Sequence, residues 1–169
     1  LLTVTGVQTC ALPIYPECTR LTVAANKYYK PEYAYRFPNI HKQRAEAVEH
    51  FFKCAEALRK IGKGYIENPI GIMSRLYKKP TQIIQPYQFG HTERKSTCLW
   101  IEGLPKLQPT EIVEPDIIVH KSGRTDSRLH YETFKLPKEE RRKARSKTFK
   151  GIADAMAKQW GRSEEQRLN

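Results

Sequence analysis

The chain has 169 residues, 39% of them hydrophobic and 28% charged, and its 30 Lys and Arg outweigh 18 Asp and Glu to give a net charge of +12. That is enough chain for one domain with a real core, and the balance is globular rather than disordered. No apolar run approaches the roughly 20 residues that cross a bilayer, and the charge points toward a polyanionic partner, the alternative being a basic surface with none.

The start of the chain differs from the rest. "LLTVTGVQTCALPI" (1–14) holds no charged residue, and composition shifts abruptly at Tyr15. This stretch resembles the conceptual translation of a sequencing-library adapter, and "RSEE" near the end resembles the same kind of artefact. Segments 1–14 and 162–169 are therefore set outside fold reasoning. The competing reading is a genuine short strand at "LLTVTGV".

Residues 16–40 are rich in Pro, Tyr and polar side chains and read as an ordered loop. "HKQRAEAVEHFFKCAEALRKIGKG" follows. Val48, Phe51, Phe52, Ala55, Leu58 and Ile61 share one helical stripe, and Glu46, Glu49, Lys53, Glu56 and Lys60 largely share the other. Gly62 and Gly64 stop that helix, and Cys54 on its flank reads as a small packing residue. "YIEN" (65–68) is a short strand, and a helix feeding it suggests half of a βαβ unit. Residues 69–91 are again loop-rich. "TCLWI" (97–101) is a second strand, with "TEIV" and "DIIV" as weaker candidates. "KSGRTDSRLH" (121–130) reads as a basic loop and "PKEERRKARSK" as a charged helix. "TFKGIADAMAKQWG" is a further helix with Phe149, Ile152, Ala153, Met156 and Trp160 on its apolar face.

Four cysteines include no CxxC pair and no cysteine–histidine spacing suited to zinc, so they read as free thiols in a reducing compartment such as the cytoplasm. Two motifs carry chemistry. In "PECTRL" a turn brings out Cys18 after the expected end of a strand. In "ENP", Glu67 and Asn68 sit at the end of the next strand. Neighbouring strands of an open α/β sheet deliver their carboxyl ends to one crevice, so Cys18 and Glu67 can face one substrate. A thiol there is a nucleophile once ionised, and a carboxylic acid beside a heterocycle can hydrogen-bond a ring nitrogen. Taken singly, such a cysteine is more often buried packing and such a glutamate a solvated or capping residue.

Over long phrases the chain resembles the DNA cytosine-5 methyltransferases, most closely the compact phage and prophage-type members. "PECTRLTVAANKYYKPEYAYRFPNIH", "YIENPIGIMSRLYKKPTQIIQPYQFGH…CLWIEGLPKL" and "RSKTFKGIADAMAKQWG" carry the likeness, which spans about residues 15–161. It implies an incomplete Rossmann-like α/β fold, the C-terminal part of a methyltransferase whose first cofactor-binding strands are absent. It implies Cys18 as the nucleophile of a Pro-Cys loop and Glu67 as the base-recognising acid of a Glu-Asn-Val-like motif, with Asn68 and Pro69 completing the base site. The usual Pro-Pro-Cys or Phe-Pro-Cys is Pro16-Glu17-Cys18 here, and the acidic neighbour disfavours the thiolate.

The family's Gln-Arg-Arg-x-Arg motif follows a Tyr-Gly or Phe-Gly pair, and "QFGHTERKSTCLW" is in the corresponding place. Glu93, Arg94 and Lys95 approximate its start, whereas Thr97 stands where a base-contacting arginine is expected; Arg94 and Lys95 are assigned substrate or phosphate contact, the alternative being a solvated pair before a strand. Lys121, Arg124 and Arg128 are assigned to DNA phosphates, and Phe149 to one wall of a cofactor pocket.

The implied reaction moves a methyl group from S-adenosylmethionine to carbon 5 of a flipped cytosine through a covalent Cys18 adduct, with no metal. The implied setting is a monomer acting on DNA in a bacterial or phage-infected cell. No glycine-rich cofactor loop is found, so the chain alone is expected to bind S-adenosylmethionine poorly. The alternatives are a non-catalytic basic nucleic-acid-binding module and another pyrimidine-modifying enzyme on the same scaffold.

Overall fold

The computed structural model describes residues 18–146 and 149–161. The two segments read as foreign, 1–14 and 162–169, lie outside the described residues, as do Cys10, Pro16, Glu17 and the strand expected before Cys18. The described chain is mixed α/β and divides into two compact units, one of residues 18–84 and 97–106, the other of residues 85–96 and 107–161.

The first unit is built on α1, Ile40–Ile61, and a three-stranded sheet of β1 (Gly64–Pro69), β2 (Gln82–Ile84) and β3 (Thr97–Glu102). The strand order is β1-β3-β2 and both ladders are antiparallel. The helix feeding β1 suggested a parallel pairing. Instead β3 is inserted in reverse between β1 and β2, which therefore run the same way, and the short α2 (Met73–Leu76) lies in their connection.

The apolar stripe of α1 is the reason this helix docks. Ile40, Ala47, Phe51, Cys54, Ala55 and Leu58 are its buried residues. The stripe is thus rotated slightly from the expected one: Phe52 and Ile61 are exposed, and Cys54 is inside. Phe51 meets Trp100 of β3 edge-on, with ring centroids 5.0 Å apart. Trp100 keeps its ring N–H satisfied by donating to the Lys78 carbonyl at 2.8 Å. Full burial of a Phe or Leu contributes about 1.5–3 kcal/mol, so this seam holds the unit together. The opposite face of α1 carries Glu49–Lys53 and Glu56–Lys60 pairs at 2.6 and 2.8 Å. Gly62 ends the helix in the left-handed region, at φ 71°.

The second unit carries the hairpin of β4 (Ile117–Val119) and β5 (Thr125–Ser127), followed by α3 (Arg128–Thr133), α4 (Lys138–Ser146) and α5 (Lys150–Trp160). "DIIV" is therefore a strand, while "TEIV" holds only a single bridge at Glu111. The basic loop at 121–130 turns out to be the hairpin tip and the start of α3. On α5 the buried residues are Ile152, Ala155 and Trp160; Ala153 is exposed and Phe149 is the N-cap rather than part of the face.

Candidate functional site

Cys18 is exposed at the head of a tight turn, where its carbonyl accepts the N–H groups of Leu21 and Thr22, both at 3.1 Å. Leu21 is wholly buried in the core. The Arg20 carbonyl accepts from the Tyr29 hydroxyl and from Arg44 Nε, both at 3.2 Å, and the Arg44 guanidinium lies 3.3 Å over the Tyr29 ring. The turn is thus fastened on both flanks.

The same turn is stitched to the exit of β1. Thr22 and Gly71 form an antiparallel bridge, Ile72 N donates to the Leu21 carbonyl at 2.9 Å, and Val23 N donates to the Ile70 carbonyl at 3.1 Å. Gly71 is what permits this approach. A Cβ at that position would sit 2.0 Å from the Leu21 carbonyl oxygen. In the sequence Gly71 is marked only as an isolated glycine just past a strand, a weak local signal for close backbone approach. The Cys18 turn and the segment leaving Glu67–Asn68–Pro69 are therefore neighbours within one unit.

Along β1 the side chains alternate. Glu67 is half-buried opposite Leu99, whereas Asn68 is 1% exposed and pairs with Cys98 on the face that packs on α1. Pro69 pairs with Thr97 at the strand end. Asn68 therefore belongs to the framework behind Glu67 rather than beside it.

The three described cysteines differ sharply. Burial pushes the Cys54 thiol up from its ordinary value. Burial pushes Cys98 up as well, with the neighbouring Glu67 charge adding to it and a hydrogen bond with Ser74 opposing it. Both stay neutral thiols near physiological pH. Cys18 alone is exposed.

The remaining assigned residues lie in the second unit, except for Thr97, which is buried in β3. Gln85 sets the 94–96 segment by accepting from Lys95 N at 3.0 Å and donating to Ser96 Oγ at 2.5 Å. Arg94 donates to Thr125 Oγ1 at 3.1 Å beside a shallow cavity of about 220 Å³ that Asp126 and His130 also line. Burial, then the nearby Arg145, pushes His130 down from its ordinary value. Lys95 reaches the Arg145 carbonyl at 2.9 Å and stands 5.8 Å from the Phe149 ring, whose neighbour is His91 at 5.2 Å.

Lys121 is exposed at the tip of the β4–β5 hairpin. Arg124 donates to Asp126 at 2.8 Å, and Arg128 forms a two-pronged pair with Asp116. The charges of both arginines are thus already matched within the fold. The same contacts hold Asp126, bonded to His120 and then Arg124, and Asp116 below the usual carboxylate range.

Among the described residues, no helix is long and apolar enough to cross a membrane, and no cluster of His, Cys, Asp and Glu is placed to hold a metal ion. Compared with protein-family models, curated proteins and solved structures, the chain matches none at a significant level.

Proposed function

We propose that this chain carries the base-handling part of a DNA cytosine-5 methyltransferase, with Cys18 as nucleophile and Glu67 as the acid that holds the pyrimidine. The observation that carries the reading is the stitch between the Cys18 turn and the exit of β1, built on Gly71. An exposed thiol and a half-buried carboxyl borne on two segments bonded to each other suit a planar heterocycle attacked at one ring atom and gripped at another. The parallel course of β1 and β2 is compatible with a Rossmann-like sheet carrying one reversed strand.

In this reading the cytosine leaves the duplex. The Cys18 thiolate bonds to ring carbon 6, and the electron pair of the 5,6 double bond moves to carbon 5. Glu67 hydrogen-bonds the neighbouring ring nitrogen and exocyclic amine and stabilises that charge. Carbon 5 can then take a proton from water and lose its original one, after which the thiolate departs and the ring is restored.

S-adenosylmethionine supplies the methyl group in this family. The Phe149 ring, assigned to the cofactor pocket, is flanked by His91 and by the Lys95 ammonium, a poor neighbour for a sulfonium.

Hydrogen exchange at carbon 5 tests the reading without the methyl donor. DNA tritiated at carbon 5 of cytosine is expected to release label with the wild-type chain and not with Cys18→Ser. No release by the wild type, or equal release by Cys18→Ser, would refute it. Salt-sensitive binding without release would favour the non-catalytic module, which the basic surface also suits.

A further inference from the structure

Beyond the thiol chemistry, we propose that the segment between the Cys18 turn and the first turn of α1 is a stacking surface for unpaired DNA, with Tyr35 as its exposed platform. Residues 20–44 carry six cations, Arg20, Lys27, Lys30, Arg36, Lys42 and Arg44, against the single carboxylate of Glu32. The segment folds into two short 3-10 turns, Val23–Tyr29 and Pro31–Tyr33. They are locked together from inside: the Tyr28 ring packs edge-on against Tyr33 at 5.6 Å and against Phe37 at 5.2 Å.

That lock leaves Tyr35 outside, 85% exposed, and the next residue is Arg36. Four of the segment's five rings, Tyr28, Tyr29, Tyr33 and Phe37, are engaged in packing within the unit, and Tyr35 alone is left in water. Lys27 and Arg36 are exposed along the same stretch, as are Lys30 and Lys42, which stand 3.9 and 4.0 Å from the exposed carboxylates of Glu32 and Glu46. Arg36 lies 5.7 Å from the Phe37 ring and Lys27 5.0 Å from the Tyr28 ring, which orients these cations.

Cations that track a phosphate chain, with an aromatic ring among them, are the two parts of sequence-tolerant binding to single strands. A base stacked on Tyr35 must be free of its own helix, so the surface favours unpaired DNA over a perfect duplex. Binding of this kind stands or falls independently of any adduct at Cys18.

Fluorescence anisotropy with a labelled single-stranded oligonucleotide, its duplex, and vesicles of anionic lipid tests the proposal on the whole chain. Tyr35→Ala is expected to weaken single-strand binding about tenfold while changing duplex binding less than about twofold, and Tyr35→Phe to retain it. Arg36→Gln is expected to lower the magnitude of the salt slope by about 0.7, the loss of one single-strand phosphate contact. Tyr35→Ala with unchanged single-strand affinity overturns the proposal, as does an equal loss on duplex. Loss of vesicle binding in parallel with DNA binding would assign the surface to anionic lipid instead. Because Tyr35 is exposed, circular dichroism of its variants should match the wild type, so lost affinity is not lost fold.

Discussion

Replacing Gly71 by Ala probes the stitch on which the site depends. The added Cβ would fall 2.0 Å from the Leu21 carbonyl oxygen and 2.8 Å from its carbon, both backbone atoms that no rotamer change can move aside. Reaching ordinary contact at 3.4 Å requires the Leu21 carbonyl to retreat by about 1.4 Å. That breaks the Ile72–Leu21 hydrogen bond and strains the Val23–Ile70 bond, at about 0.5–1.5 kcal/mol each. It also draws the wholly buried Leu21 partly out of the core. The expected loss is about 2–3 kcal/mol, read as a lower midpoint of urea unfolding with an unchanged slope. Misplacing a nucleophile by about 1 Å costs on the order of a hundredfold in rate, so carbon-5 exchange should fall by that factor even in the folded population. Gly62→Ala is the control: its Cβ meets open space, so it should cost only the strain of an L residue in the left-handed region, about 1–2 kcal/mol, without slowing exchange. If Gly71→Ala matches the wild type in both stability and exchange, the stitch does not position Cys18.

Further outcomes follow from the core and the charges. Near neutral pH an alkylating reagent should modify Cys18 well before Cys54 and Cys98, as peptide mass mapping would show; equal rates would contradict their burial. The two raised thiols stabilise the fold while pH stays below the unfolded cysteine value, about 8.5, and that contribution should fade as pH rises through their folded values. Phe51→Ala should cost about 3–5 kcal/mol and alter Trp100 emission, since it empties the seam against that ring. Asp126 should titrate below the ordinary 3.9 or so by carboxyl carbon NMR; its contribution is present above that value and lost as pH falls through the folded one. An ordinary value there would remove His120 and Arg124 as its partners.

Much of this was legible in the sequence because it rests on local pattern. The 3.6-residue period marks α1 and Gly62 its end, and "YIEN" and "TCLWI" read as strands, each extended by a residue or two in the structure. The orientation of β3 was not legible, because no local signal says whether a strand lies beside its predecessor or reverses between two others. Phe52 was placed inside since hydropathy cannot resolve a rotation of one residue around the helix; Cys54 took the buried place. The pairing of Arg124 with Asp126 and of Arg128 with Asp116 has no sequence signal, because the hairpin turn and the start of α3 bring the partners together. Cys18 and Glu67 are paired in the sequence by the shared carboxyl edge expected of neighbouring strands and by resemblance, whereas Gly71, where the two segments meet, carries no chemistry of its own.

The central claim is that Cys18 adds to a pyrimidine held by Glu67. DNA bearing 2-pyrimidinone at the target position tests it most directly, because that ring accepts a thiolate at carbon 6 more readily than cytosine and needs no methyl donor to form the adduct. Intact mass and peptide mapping should show one strand joined to the chain at Cys18, none with Cys18→Ser, and slower formation with Glu67→Gln. No adduct with the wild-type chain, or one that maps elsewhere or survives Cys18→Ser, would contradict the account.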